Sequence, residues 1–93
     1  MKILLVHQNF PGQFKHVYPR LVADPANEVV VFTMNNFSAG GLADRFRVVK
    51  YQPARGNAPE THRWLQDIES KSIRAEAAFN AAIQLKQLGF IPD

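Results

Sequence analysis

The chain opens on Ile3, Leu4, Leu5 and Val6, four apolar residues with no polar position among them. Such a run lacks the alternation of a half-solvated strand and predicts a strand buried on both faces, the habit of a central strand in a parallel sheet. It stops at His7-Gln8-Asn9-Phe10-Pro11-Gly12, a polar, turn-forming stretch. Apolar positions then recur at Phe14, Val17, Tyr18 and Leu21 with helical spacing. A helix over 12–23 is predicted, kinked or split at Pro19, whose ring removes a donor and crowds the preceding turn. After a turn at 24–27, Glu28 leads into Val29-Val30-Val31-Phe32-Thr33-Met34, which reads as a second buried strand.

A loop over 35–44 begins with Asn35-Asn36 and carries Gly40-Gly41 in its middle. The third strand, 46–51, mixes Phe46, Val48, Val49 and Tyr51 with Arg47 and Lys50, a pattern that suits a sheet edge. Two prolines and a glycine make 52–59 irregular. The longest helix is predicted over 60–88, with Trp64, Leu65, Ile68, Ala75, Ala78, Phe79, Ala82 and Leu85 as its packing stripe and Arg63, Asp67 and Lys71 spaced for pairing on another face. Gly89 is placed to cap it in the left-handed conformation, with Phe90 folding back on Leu85.

Strand, helix, strand, loop, strand, helix is the order of an α/β, Rossmann-like three-layer domain with a parallel sheet of strand order 3-2-1. The next strand in such a sheet lies on the free side of the first. Residues 1–93 therefore read as the amino-terminal, incomplete portion of a larger domain, truncated before its fourth strand. An apolar first strand with an open edge invites pairing, so a homo-oligomer that shields this edge is expected. The alternative is a free-standing flavodoxin-like module that binds a small ligand or a partner.

Open α/β sheets bind ligands beyond the carboxyl ends of their strands. That rule selects His7, Gln8, Asn9 and Gly12 after the first strand, Asn35 and Asn36 after the second, and Arg55 after the third. The amides of Gln8 and Asn9 suit sugar hydroxyls, although such residues also build turns. His7 suits proton transfer or ligand contact, or a structural hydrogen bond. Gly12 permits close approach of the backbone to a ligand, or simply a tight turn. Arg55 could meet a phosphate or an acidic sugar.

The loop has a single glycine, and no acidic residue follows the second strand, so the dinucleotide fingerprint is missing and no NAD-type cofactor is expected. Cysteine is absent, which removes thiolate metal sites and disulfides. His16 and His62 lack metal-ligand spacing. Trp64 could stack on a sugar, but its position on the helical stripe favours the core. Formal charge is only +3 and the basic residues are scattered, which argues against nucleic acid as a partner. No run approaches the roughly 18 apolar residues of a membrane span. The amino-terminal run is too short for a signal peptide. A cytoplasmic location is expected, with peripheral membrane association of the full-length protein as a variant.

Lys2-Ile-Leu-Leu-Val-His-Gln-Asn-Phe-Pro-Gly-Gln-Phe14, Glu28-Val-Val, Tyr51-Gln-Pro-Ala-Arg-Gly56 and Gly89-Phe-Ile-Pro-Asp93 together resemble the amino-terminal domain of family 4 glycosyltransferases, in the subgroup that opens with an HQNFPGQF-like signature. The resemblance implies the GT-B architecture, in which two Rossmann-like domains face each other across a cleft. It implies that this domain receives the acceptor, a glycan or lipid-linked molecule, while the missing carboxyl-terminal domain holds the nucleotide sugar. It also implies that no metal is needed, and that residues 7–12 border the cleft and approach the donor diphosphate. Further active-site residues are expected beyond Asp93, so no catalytic residue is assigned within this chain, and the chain alone is expected to be inactive.

Overall fold

A computed structural model describes residues 1–38 and 45–93 of the chain. Its elements are β1 (Lys2–Val6), a 3-10 turn (Gly12–Phe14), α1 (Tyr18–Ala23), β2 (Glu28–Thr33), β3 (Phe46–Lys50) and α2 (Gln66–Gln87). The strands form one sheet in the order β1-β2-β3, and both pairings are parallel. Register aligns Leu4 with Val30 and Val30 with Arg47. The α/β fold and the predicted strand order hold, and the sheet matches a partial Rossmann-like domain. The Gly40-Gly41 part of the predicted loop lies outside the described residues.

Two apolar layers flank the sheet. Leu5, Val29, Val31 and Phe46 pack with Phe10 and Val22 beneath α1, while Val30, Phe32 and Tyr51 meet Leu85 and Phe90 beneath α2. Only a strand with neighbours on both sides and helices on both faces can be wholly buried, and that strand is β2. Val29 through Thr33 are at most 1% exposed. The first strand was expected to be buried on both faces and to keep an open edge; the open edge holds, but the burial is incomplete, with Val6 46% exposed. The apolar run of β1 is as dense as that of β2, so its exposure is decided by strand order and not by hydrophobicity.

The predicted first helix does split, but ahead of Pro19. The chain makes the 3-10 turn, then starts α1 with Pro19 in its first turn, where a missing N–H costs nothing and the fixed φ favours the helix. At the far end of the chain Gly89 adopts φ +93°, and Phe90 N–H donates to Leu85 O at 3.2 Å, closing α2 as predicted. Phe90 is buried beside Leu85, with the Lys2 ammonium 5.8 Å and the Arg47 guanidinium 5.6 Å from its ring.

The packing stripe of α2 differs from the predicted one. Ala77, Ala78, Ala81, Ala82 and Leu85 rest on the sheet. Trp64, Leu65, Ile68 and Phe79 are exposed, Trp64 at 77%, so Trp64 is not a core residue. Phe79 lies within the packed part of the helix but on its opposite face, and length explains the other three. A helix of 22 residues spans about 33 Å, whereas strands of five or six residues span about 17–20 Å. The first turns of α2 therefore overhang the carboxyl ends of the strands, and Trp64 precedes even those.

Candidate functional site

The carboxyl ends of β1 and β2 carry two loops that lock together. His7 N–H continues the ladder to Phe32 O at 3.0 Å, and Met34 N–H donates to Gln8 O at 3.0 Å. Thr33, wholly buried, accepts from Phe10 N–H at 3.1 Å and lies 2.6 Å from Asn35 Oδ1, to which its hydroxyl donates. Asn35 Nδ2 in turn donates to Phe10 O at 2.8 Å. Both ends of the Asn35 amide are thus engaged, the NH2 on the first loop and the oxygen on the Thr33 hydroxyl of β2. Phe10, at 1% exposure, anchors it from below among Phe14, Tyr18, Phe37 and Phe46.

Gly12 and His7 form a second internal fit. Gly12 sits at φ +47°, and a Cβ there would come within 2.3 Å of His7 Cε1. The space that a side chain would fill is taken by the imidazole. His7 Nδ1 also accepts from Asn9 N–H at 3.1 Å. The close approach that Gly12 permits is therefore to a neighbouring ring.

Gln8, Asn9 and Asn36 stand exposed on the rim. Lys50 Nζ donates to Asn36 Oδ1 at 3.0 Å, and Arg74 Nη1 donates to Gln8 Oε1 at 2.6 Å. Arg55 lies apart from the two loops, bound through Nη1 to Glu69 Oε1 and to Gly56 O, each at 2.9 Å. Glu69 also accepts from the Thr61 hydroxyl and, at 3.3 Å, from Ala58 N–H. These bonds hold its carboxyl below the usual range, the Thr61 hydroxyl contributing most and Arg55 next. Glu69 thus organises the segment between β3 and α2, and Arg55 is part of that tie.

Arg74 and Lys50 were not among the residues selected from sequence. The signal for Arg74 was topological: a helix that follows a parallel strand packs back antiparallel to it, so its first half lies near the carboxyl rim. Arg74 shares a groove of about 330 Å³ with Pro53, Arg55, Gly56, Asp67 and Ser70. Among the described residues no group of His, Cys, Asp and Glu side chains is placed to hold a metal ion.

Residues 25–93, well over half of the chain, match the glycosyl transferase family 4 group. The chain belongs to this family. It is accordingly a glycosyltransferase family 4 domain, which implies in general a nucleotide sugar and an acceptor as substrates. The match begins after α1, so the HQNFPGQF-like opening lies outside it. No curated protein and no solved structure matches the chain. No helix among the described residues is long and apolar enough to cross a membrane.

Proposed function

We propose that the chain is the amino-terminal, acceptor-side part of a GT-B glycosyltransferase, and that its 7–12 and 35–36 loops form one wall of the substrate cleft. The family match carries the reading. The parallel sheet supports it, because both loops stand at the carboxyl ends of adjacent strands, where open α/β sheets take their ligands. In this reaction a nucleotide diphosphate leaves and an acceptor hydroxyl attacks, so the wall's contribution is placement and electrostatic support, with the remaining groups supplied by a second Rossmann-like half.

The free edge of β1 supports a larger domain. Met1 O and His7 N–H face β2, so the alternating backbone groups of Lys2, Leu4 and Val6 face outward. Asp93 meets the first of these: its N–H donates to Lys2 O at 2.9 Å, and its carboxylate accepts from Lys2 N–H at 2.6 Å. Beside Leu4 runs an apolar groove of about 230 Å³, lined by Ala82, Ile83, Leu85, Phe90 and Ile91 among others. A further strand alongside β1 would extend the sheet and cover that groove.

The test is the product of the complete reading frame, incubated with a panel of sugar nucleotides and glycan or lipid-linked acceptors. Acceptor-dependent release of nucleoside diphosphate is expected, with Gln8→Ala and Asn36→Ala raising the acceptor KM. Absence of a second Rossmann-like half, together with absence of sugar transfer, would overturn the reading.

A further inference from the structure

Helix α2 is apolar on two faces, and the sheet covers only one of them. Ala77, Ala78, Ala81, Ala82 and Leu85 rest on the strands. On the side turned away, Leu65 at the cap and then Ile68, Ser72, Ala75, Phe79 and Ile83 recur at intervals of three and four residues, the spacing of a helix–helix seam. Leu65 is 54% exposed, Ile68 62%, Phe79 64% and Ile83 41%. The stripe runs for about 27 Å along the helix. A strand added beside β1 would extend the sheet and leave Leu65, Ile68 and Phe79 open. Ser72, the polar member of the stripe, donates its hydroxyl to Ile68 O at 2.8 Å, one turn back in its own helix. It can therefore be covered without stranding a donor.

Size and charge along the stripe say what fits it. Ser72 and Ala75 make a shallow step in the middle, with Ile68 standing on one side and Phe79 and Ile83 on the other. A second α2 laid antiparallel sets Phe79 of each copy over the Ser72 step of the other, and Ile68 against the partner's Ile83. Each contact is then made twice about a two-fold axis beside Ala75, whose small side chain lets the helices approach. The first turn of α2 carries Asp67 and Glu69, and the last carries Lys86. An antiparallel pair puts each acidic first turn beside the partner's Lys86 and opposes the helix dipoles, whereas a parallel pair would gather like charges at both ends. Asp67 and Glu69 already have Lys71 and Arg55 as partners, so the charge contribution is small beside the apolar one.

We propose that the outward face of α2 is an interface to a second copy of this chain, packed antiparallel through Ile68, Ser72, Ala75, Phe79 and Ile83. It is a surface apart from the free edge of β1, and it is independent of the glycosyltransferase reading. A stripe one helix wide belongs to the small class of interfaces, so the dimer forms in the micromolar range.

The experiment is sedimentation equilibrium of the chain carrying Val6→Lys, which suppresses pairing through the β1 edge. A monomer–dimer equilibrium is expected. Phe79→Gln and Ile68→Gln, both at exposed helical positions, should each weaken it roughly tenfold with unchanged far-ultraviolet circular dichroism. Val17→Gln removes an apolar side chain that is 49% exposed next to α1, and it should leave the equilibrium unchanged. Lys86→Glu should weaken the dimer by a smaller factor that shrinks as salt is added. Cross-linking reads the orientation, since the chain has no cysteine of its own. Under mild oxidation Ala75→Cys should cross-link to itself, and Ile68→Cys should cross-link to Ile83→Cys but not to itself. A monomer at high concentration, equal losses in Val17→Gln and Phe79→Gln, or self-cross-linking of Ile68→Cys overturns the proposal. The same cross-links in a full-length protein that transfers no sugar would sink the glycosyltransferase reading alone. Sugar transfer by a full-length protein that never cross-links through α2 would sink only this one.

Discussion

Gly12 shows how much of a binding loop can be internal architecture. Its positive φ and the imidazole occupying its missing side chain make Gly12→Ala costly by about 1–3 kcal/mol. Part of that cost is the clash, so removing the ring should relieve it: in chemical denaturation the double variant Gly12→Ala/His7→Ala should lose less than the sum of the two single variants. Thr33→Val, close in shape, leaves the Phe10 N–H without its buried acceptor and should cost about 1–3 kcal/mol, while Thr33→Ser should retain most of the stability. Glu69 adds a pH signature. Its folded carboxyl is held below the ordinary value of 4.5, so its contribution is complete above that value and disappears as pH falls through the lowered one. Hydrogen exchange at the Ala58 amide should quicken over that acid range, and in Glu69→Gln it should be fast already at neutral pH.

Among the elements, α2 is held by small contacts at its centre and a few large ones at its end. Alanines let it lie close to the sheet, but Leu85 and Phe90 supply the large buried side chains. Phe90→Ala should therefore cost about 3–5 kcal/mol, a large share of the stability of so small a domain, whereas Phe90→Leu should cost under about 1.5. Thermal unfolding distinguishes the two. All three strands, the glycine stop and the Ala78, Ala82 and Leu85 part of the stripe were readable in the sequence, whereas Ala77 and Ala81 pack on the sheet in place of the expected Ala75. The helix start was not readable, because Trp64, Leu65 and Ile68 continue an apolar spacing past the point where the sheet ends, and periodicity carries no information about the length of the surface beneath it.

On the scale of the whole molecule the open side of β1 dominates. Leu4 and Val6 direct backbone donors and acceptors away from β2, next to an apolar groove. Such an edge pairs with whatever strand is offered. The isolated 93-residue chain should self-associate through it, as sedimentation would register. Val6→Lys, which sets a charge on the exposed edge, should shift the chain toward monomer with little change in the far-ultraviolet circular dichroism. A chain that stays monomeric at high concentration would contradict this expectation.

The linear order of apolar runs determined the fold class, because three strand-length runs separated by a helix or by a connection too long for a hairpin leave a parallel sheet as the ready solution. It also located the loops of the rim, since every such loop follows a strand directly. Tertiary structure decided which residues of those loops face inward. His7, Gly12 and Asn35 are absorbed by contacts within the loops, whereas Gln8 and Asn36 are turned outward by Arg74 and Lys50, cations distant from them in sequence. Those pairings arise from how α2 and β3 lie against the sheet, a three-dimensional relation that residue spacing along the chain does not encode.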